Sequence, residues 1–369
     1  MKKIATLTIN TPLNYGATLQ AFALNYYLRL QGYDAEVIKY TYFKGYDNRS
    51  IWRRLRSKIW RNCVRPLIKD TQRMKKTELF KDKIIFTQPL QTPNSLLKIA
   101  DIYDAYVVGS DQVWNPHLAG DDVNWFLNFT SRRKISYAAS FGLSILPQKY
   151  MDRYSKYIQN LNAVSVREES AAKLIQNMGL PRPQVVLDPV FLLTREMWSE
   201  IAVTPKQSKY ILCYYMPGFP AIEKRMQQFA KEYSKKYDCR ILNIGKKEYS
   251  RFFFWENNLR GIGPAEFLGL IANAELVITN SFHGTAFSVL FDKKFISVID
   301  TSLGKKDLSS RITNLLVNIQ HTSSLVDVAQ IQESYSPRLC LSKYSKTCLE
   351  KAITQSKQFL TDNLGEAYV

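Results

Sequence analysis

The chain has 369 residues, of which 46% are hydrophobic and 22% charged, so it is long enough for two globular domains and too apolar for a disordered protein. Its five cysteines are odd in number and lack C-x-x-C spacing, so neither a disulfide framework nor a zinc site is expected. The apolar run in residues 1–7 is too short for a secretion signal, and no apolar segment is long enough to span a bilayer. We therefore expect a cytoplasmic protein.

The net charge of +19 is concentrated in one segment. Residues 44–83 contain fourteen Lys and Arg against four Asp and Glu, and the apolar residues among them recur at helical spacing: Ile51, Trp52, Leu55, Ile59 and Trp60. A basic helix of this kind favours binding at the anionic inner face of the membrane. A solvated helix whose tryptophans pack on their own domain is nearly as well supported. Nucleic-acid binding is the least favoured of the three.

The first half of the chain alternates predicted strands with helices, which is typical of a parallel α/β sheet. A helix is expected after the turn at Asn14 and Gly16. Its first backbone amides are suited to an anion, although a tight turn that needs Gly16 explains the sequence equally well. The strands are predicted at 4–9, 36–40, 105–108, 135–139, 163–166 and 184–187.

Polar residues follow two of these strands where a ligand is expected, at the carboxyl end of the sheet. Asp111 and Gln112 are suited to bind sugar hydroxyls, and Trp114 offers a flat apolar face for a pyranose. Capping by Asp111 and core packing by Trp114 are the alternatives. Arg167 directly follows a strand, so its guanidinium can grip a phosphate or carboxylate, or else pair with a nearby acid. Asp188 is either catalytic or a turn cap.

The second half repeats the α/β pattern after a polar stretch at 194–209 that resembles a linker. Strands are predicted at 210–216, 239–244, 276–278 and 295–300, with helices at 221–236, 309–319 and 343–364. The domains are then 1–195, which includes the basic helical segment 44–83, and 205–340. Residues 341–369 form a helix that packs back on the first domain.

The strand at 276–278 runs into the polar loop Asn280-Ser281-Phe282-His283-Gly284 and a helix. His283 is one of three histidines, and an imidazole at a strand end is suited to proton exchange near neutral pH. Helix capping or a hydrogen bond to a neighbour is the alternative. Ser281 lacks the glycines of a nucleophile elbow, so it is expected to cap or to bind. Gly284 lets other atoms approach.

Six motifs in order resemble those of the polysaccharide pyruvyl transferase family: NYGATLQAFAL from Asn14, VVGSDQVWNP from Val107, SYAASFG from Ser136, VSVREESA from Val164, VLDPVFLL from Val186 and ITNSFHGTAFSV from Ile278. The resemblance implies two Rossmann-like domains, GT-B-like, with an interdomain cleft. It also implies transfer of the enolpyruvyl unit of phosphoenolpyruvate to a sugar. Relatives often carry arginine where this chain has Ser281, so Arg311 is considered as a replacement.

The predicted function is transfer of pyruvate from phosphoenolpyruvate to a sugar of a surface polysaccharide or its lipid-linked precursor, forming a pyruvate ketal. His283 would be the general acid or base. The donor would be bound by Arg167, Asn280, Ser281, Gly284 and Arg311, and the acceptor by Asn14, Asp111, Gln112 and Trp114. No metal or cofactor is expected, and His283 and Arg167 are expected to share one anion pocket. A GT-B-type glycosyltransferase using a nucleotide sugar is the main alternative. A non-catalytic glycan- or nucleic-acid-binding protein is the third.

Overall fold

A computed structural model describes residues 1–10, 14–40, 70–119, 122–216, 218–245, 259–302, 310–329 and 340–366. The chain divides into two compact units. The first comprises residues 1–57, 81–193 and 351–369, and the second comprises 58–80 and 194–350. Residues 41–69, which include the predicted tryptophan-bearing helix, lie outside the described residues. Membrane binding by that segment therefore stays a prediction.

The first unit is built on six parallel strands in the order β2-β1-β3-β4-β5-β6. The strands are β1 (Lys3–Leu7), β2 (Asp34–Val37), β3 (Ala105–Gly109), β4 (Arg133–Ala139), β5 (Ala163–Val166) and β6 (Gln184–Val185). The α-helices of this unit are α1 (Tyr15–Leu30), α3 (Pro116–Ala119), α4 (Gln148–Ile158) and α5 (Glu169–Asn177), with 3₁₀ helices at Pro93–Ile99, Val123–Phe126 and Pro189–Leu192. Every residue of β3 is buried, as expected for an inner strand covered on both faces.

The second unit is built on five parallel strands in the order β11-β10-β9-β7-β8. The strands are β7 (Tyr210–Tyr214), β8 (Arg240–Ile244), β9 (Leu276–Thr279), β10 (Phe295–Ile299) and β11 (Leu325–Asp327). Its helices are α2 (Asp70–Lys81, of which residue 81 belongs to the first unit), α6 (Arg195–Ile201), α7 (Pro220–Tyr237), α8 (Pro264–Ala272), α9 (Phe282–Leu290) and α10 (Ser310–Asn318), with a 3₁₀ turn at Thr322–Ser324. The last helix, α11 (Lys343–Leu364), has residues in both units.

The stretch expected to be a linker contains a helix instead. The Thr194 side chain accepts a hydrogen bond from the backbone N–H of Met197, which caps α6 at its start. Trp198 on this helix is fully buried, and its ring meets that of Phe287 edge to face at 5.0 Å. One large aromatic anchor therefore fixes α6 to the second unit, although the sequence around it is polar.

Helix α11 makes specific contacts along its length. Near its start, the Ser345 hydroxyl donates to the backbone oxygen of Gln320 at 2.9 Å. Farther along, the Ser356 hydroxyl oxygen accepts from the backbone N–H of Leu187 at 2.9 Å, and the Phe359 ring lies 6.3 Å from that of Tyr137. Residues from 351 onward are thus part of the first unit. Within the described ranges, no helix is long and apolar enough to cross a membrane.

Each sheet has one point where the strand order reverses, and ligands bind at such points in open α/β sheets. In the first unit this point lies between β1 and β3, whose following loops carry Asn14 and Asp111. In the second unit it lies between β7 and β9, whose following loops carry Met216 and Asn280. The predicted class, α/β with two Rossmann-like domains, is confirmed.

Candidate active site

His283 lies in the first turn of α9, immediately past the carboxyl end of β9. The strand forms because four consecutive residues, Leu276–Thr279, are apolar or β-branched and completely buried. The helix begins where the Ser281 hydroxyl oxygen accepts the backbone N–H of Gly284 at 3.4 Å. His283 is 6% exposed, with its ring 5.1 Å from that of Phe282 at an interplanar angle of 82°. A nearly buried imidazole thus lies in the first turn of a helix, where the helix dipole favours negative charge, a setting suited to proton transfer on an anion.

Asn280 fastens together the two loops at the switch point of the second unit. Its side-chain oxygen accepts the backbone N–H of Met216 at 2.7 Å, and its amide nitrogen donates to the Met216 carbonyl at 3.4 Å. Thr279 adds a second tie, since its hydroxyl donates to the carbonyl of Tyr214 at 2.9 Å. Asn280 therefore positions the loop that carries Ser281 and His283. Its direct contact with a donor stays a prediction.

Gly284 is required by packing within the protein. A Cβ at this position would lie 2.5 Å from Thr279 Oγ1 and 3.0 Å from Tyr214 Cδ1. Because Gly284 has no side chain, the first turn of α9 can pack directly against β7 and β9. The sequence correctly indicated a close approach at this glycine. It did not indicate that the approaching group is the sheet.

Tyr214 lies at the end of β7, beside Gly284, and the sequence gave no indication of its place in this site. Burial raises the pKa of its phenol, while the charge of Arg73 and a hydrogen bond with the Ser281 side chain lower it. Its ring also meets that of Phe267 edge to face at 4.9 Å. The sequence around Tyr214 gave no signal that it belongs to this site, because Ser281 and Phe267 are distant from it in the chain.

Arg167 is the centre of a buried ionic cluster in the first unit. Its guanidinium donates to Asp188 Oδ2 at 2.7 Å, and lies 3.5 Å from Asp111 Oδ1 and 3.8 Å from Glu168 Oε2. The side chains of Arg167, Asp188 and Glu168 are at most 1% exposed, and that of Asp111 is 10% exposed. Burial alone lowers the pKa of Arg167, but the three acids outweigh it and raise the pKa. The pair with nearby acids, which the sequence left open as an alternative, is therefore formed, because a buried cation requires nearby counter-charges. Binding of the donor by Arg167 stays a prediction.

Hydroxyl groups from two neighbouring strands complete this cluster. Ser110 donates to Asp188 Oδ2 at 2.9 Å, and Ser140 donates to Glu168 Oε1 at 2.6 Å. Asp188 also accepts the backbone N–H of Val190 at 3.2 Å, so it caps the following turn as the sequence allowed. Short polar residues at successive strand ends thus donate hydrogen bonds to one oxygen of each of these two buried carboxylates.

The loop after β3 is held in an uncommon conformation. Asp111 has φ of 62°, in the left-handed region, and its carbonyl accepts the backbone N–H of Ser140 at 3.1 Å. Gln112 is half-buried and accepts from the Asn115 amide at 2.7 Å, while a Cβ on Gly142 would lie 2.4 Å from the Gln112 side chain. This loop is therefore built against the loop that follows β4. The binding of sugar hydroxyls by Asp111 and Gln112 stays a prediction.

Trp114 lies in the core and has no face for a sugar. It is 0% exposed, its indole N–H donates to the carbonyl of Trp125 at 3.0 Å, and its ring stacks on Phe126 at 5.6 Å. The acceptor role predicted for Trp114 is corrected to core packing, because this indole fills the space between its loop and the helices beside it.

The two remaining candidates are helix-terminal residues. Asn14 caps α1, since its side-chain oxygen accepts the backbone N–H of Ala17 at 3.2 Å. Arg311 is half-buried in the first turn of α10. Their binding roles stay predictions. His283 and Arg167 belong to different units, so their sharing of one anion pocket also stays a prediction. Among the described residues, no three His, Cys, Asp or Glu side chains are grouped as a metal would require.

The family model of polysaccharide pyruvyl transferases matches residues 14–302, well over half of the chain. The chain belongs to the polysaccharide pyruvyl transferase family. It is therefore a transferase that acts in polysaccharide pyruvylation. The matched range includes both switch-point loops, the Arg167 cluster and His283. No curated protein matches the sequence significantly.

Solved structures similar to this pyruvyl transferase share its fold at low sequence identity. The UDP-GlcNAc 2-epimerase of Methanocaldococcus jannaschii aligns with a TM-score of 0.52 at 12% identity, covering 98% of this chain and 100% of the epimerase. The Neisseria meningitidis enzyme aligns with a TM-score of 0.51 at 11% identity, covering 99% of both chains. The Rickettsia bellii enzyme aligns with a TM-score of 0.52 at 11% identity, covering 98% and 97%. These likenesses support the GT-B-like class and show the fold alone.

Proposed function

We propose that this pyruvyl transferase takes the pyruvate unit from phosphoenolpyruvate and attaches it as a ketal to two hydroxyls of one sugar. The acceptor would be a surface polysaccharide or its lipid-linked precursor. The observation that carries the proposal is His283, held at the start of α9 and at the switch point of the second unit, within the range that the family model matches.

The reaction requires one proton to be added to the methylene carbon of phosphoenolpyruvate and protons to be removed from two sugar hydroxyls. Protonation of the methylene carbon of phosphoenolpyruvate turns it into a methyl group and makes the neighbouring carbon electrophilic. A sugar hydroxyl bonds to that carbon through its oxygen and loses its proton. A second hydroxyl of the same sugar then displaces inorganic phosphate and loses its own proton, which closes the ketal. An imidazole both donates and accepts protons near neutral pH, so His283 is assigned as the general acid–base group.

The anionic donor also needs a positive environment. Backbone amides in the first turn of α9 supply partial positive charge where the β9 strand ends. Nothing in the reaction requires an electron sink or a redox group, so the donor is proposed to react without a cofactor. A lipid-linked acceptor would suit the positive charge of residues 44–83, which attracts anionic surfaces.

The decisive assay offers the purified chain phosphoenolpyruvate and candidate glycans, free or in anionic lipid vesicles, and follows phosphate release and the mass of the acceptor. A parallel reaction contains a nucleotide sugar and follows nucleotide release. Phosphate release together with a pyruvylated acceptor supports the proposal. Nucleotide release with no turnover of phosphoenolpyruvate would favour the glycosyltransferase alternative.

His283→Ala should reduce turnover roughly 100- to 10,000-fold, the usual contribution of a general acid–base group. His117→Ala is the matched control, because His117 is exposed and carries no proposed role. Circular dichroism of both variants checks that they fold. A fully active His283→Ala chain would remove the imidazole from the mechanism.

A further inference from the structure

The second unit contains a polar cavity at the amino ends of β7 and β8. Its walls come from residues 206–209, which lead into β7, and from the segment in which α7 ends and β8 begins. Because β7 and β9 are parallel, this cavity lies at the opposite edge of the sheet from His283. The five residues of β7, at about 3.3 Å each, put roughly 15 Å between the two edges. The cavity is therefore separate from the His283 site.

Two residues in the left-handed conformation shape the walls of this cavity. Lys209, just before β7, has φ of 51°, and Asp238, at the end of α7, has φ of 49°. The two turns are joined by the backbone N–H of Arg240, which donates to the Lys209 carbonyl at 3.0 Å. They are also joined by an ion pair, since Lys209 Nζ lies 3.3 Å from Asp238 Oδ2. The walls thus belong to one locally connected structure within the second unit.

The lining of the cavity is positively charged. It contains three cations, Lys206, Lys209 and Arg240, against one acid, Asp238. Within the described ranges, neither Lys206 nor Arg240 forms an ion pair, and both are exposed. The Lys209–Asp238 pair is also exposed, and such a pair contributes little, so Lys209 can exchange its partner for a ligand. The charge of the cavity therefore complements an anion.

Neutral polar groups accompany these cations. Gln207 and Ser208 line the cavity with an amide and a hydroxyl. The Ser234 hydroxyl donates to the Cys239 carbonyl at 2.6 Å, which leaves its oxygen able to accept. The cavity volume is about 790 Å³, which suits an extended organic ligand rather than a single small anion. A ligand that combines negative charge with several hydroxyl groups matches both kinds of lining group.

We propose that this cavity binds an acidic glycan, a sugar chain that carries carboxylates. The choice of a glycan rests on the function proposed above. In that reaction the carboxylate of phosphoenolpyruvate neither forms nor breaks a bond, so it remains on the ketal, and each transfer adds one negative charge to the acceptor. The cavity then holds sugar units that are already modified, at the edge of the sheet away from His283.

Calorimetric titration with a short oligogalacturonate tests the site, because this sugar chain carries one carboxylate on each unit. An uncharged oligogalactose of the same length is the ligand control and should bind more weakly. The variant Lys206→Gln/Arg240→Gln removes two cations from the cavity and should weaken oligogalacturonate binding roughly 5- to 30-fold, the range for two partly exposed charge contacts. The control Lys98→Gln/Lys173→Gln removes the same charge from exposed positions of the first unit and should bind like the unchanged chain.

Hydrogen exchange shows where the glycan binds. Oligogalacturonate should protect peptides covering residues 206–210 and 234–241 in the unchanged chain, and this protection should be lost in Lys206→Gln/Arg240→Gln. Equal weakening by the two double variants would show attraction to the positive charge of the whole protein and would overturn the proposal. Failure of the unchanged chain to bind oligogalacturonate would overturn it too, as would binding of inorganic phosphate with the same affinity.

The titration requires no turnover, so its outcome is separate from that of the proposed function. A chain that binds oligogalacturonate through the cavity but does not turn over phosphoenolpyruvate keeps the glycan site and loses the proposed function. A chain that forms the ketal but binds oligogalacturonate equally well with and without Lys206 and Arg240 loses the glycan site alone. Because the cavity lies away from His283, Lys206→Gln/Arg240→Gln should keep the kcat of the unchanged chain on a short uncharged acceptor.

Discussion

Replacing Arg167 with glutamine should destabilise the first unit far more than breaking a surface pair of identical length. The Arg167–Asp188 and Arg182–Glu169 pairs both have nitrogen–oxygen distances of 2.7 Å. The first pair is 1% and 0% exposed, whereas the second is 45% and 42% exposed. The two pairs therefore differ in burial but not in nitrogen–oxygen distance.

The expected magnitudes follow from solvation. Removing the cation of a buried pair leaves a carboxylate without solvent or counter-charge, which costs about 3–5 kcal/mol. The Ser110 hydroxyl and the Val190 amide still donate to Asp188, which limits the loss, whereas Asp111 and Glu168 lose the same counter-charge, which adds to it; Arg167→Gln should therefore fall within that range. Arg182→Gln should cost about 0–1 kcal/mol, because water replaces the lost partner.

Urea unfolding followed by circular dichroism measures both free energies of unfolding. Hydrogen exchange of peptides from β3 and β5 assigns the loss to the first unit. Adding Asp188→Asn to Arg167→Gln should restore part of the stability, since the unpaired charge is removed. Equal losses for Arg167→Gln and Arg182→Gln would refute the claim that burial decides the strength of this pair.

Two further predictions concern the second unit. Burial lowers the pKa of His321 below 6.5, so the folded chain binds a proton there less readily than the unfolded chain, and stability should fall as pH drops below that value. Between about pH 7 and about pH 5, the melting temperature should depend less on pH in His321→Gln than in the unchanged chain. In the control His117→Gln, whose histidine is exposed, the melting temperature should depend on pH as it does in the unchanged chain. Equal slopes of melting temperature against pH in all three chains would contradict this prediction. Gly284→Ala should cost about 1–3 kcal/mol, because the added methyl group meets Thr279 Oγ1 at 2.5 Å. Thr279→Ala in the same chain should recover part of that loss, and a Gly284→Ala chain that melts with the unchanged protein would show that the helix shifts at no cost.

Local patterns predicted most strands well, because a buried parallel strand is a short apolar run between turn residues. Ala163–Val166 is found with the predicted bounds, and Leu276–Thr279 is one residue longer than expected. The strand Leu325–Asp327 was missed, since a three-residue edge strand with a single fully buried side chain has no distinguishable period. Helix Arg195–Ile201 was missed because four of its seven residues are polar and only Trp198 is buried.

Within the site, local sequence identified the loops but not what their side chains contact. Ser281 was expected to cap or to bind, and it caps α9. Trp114 and Arg167 were expected to face ligands, and both are buried within the first unit. An aromatic ring or a guanidinium after a strand looks the same in sequence whether it faces a ligand or the protein. Only the neighbours supplied by other strands decide between these outcomes.

The order of apolar and polar residues along the chain determined the two α/β halves, the strand ends and the position of His283, because these depend on periods of two to four residues. Tertiary structure alone decided that Asp111, Glu168 and Asp188 surround Arg167, and that the Asn280 side chain binds the backbone of Met216. Those groups are brought together by strand order and helix packing, and electrostatic interactions depend on distance in space rather than on separation in sequence.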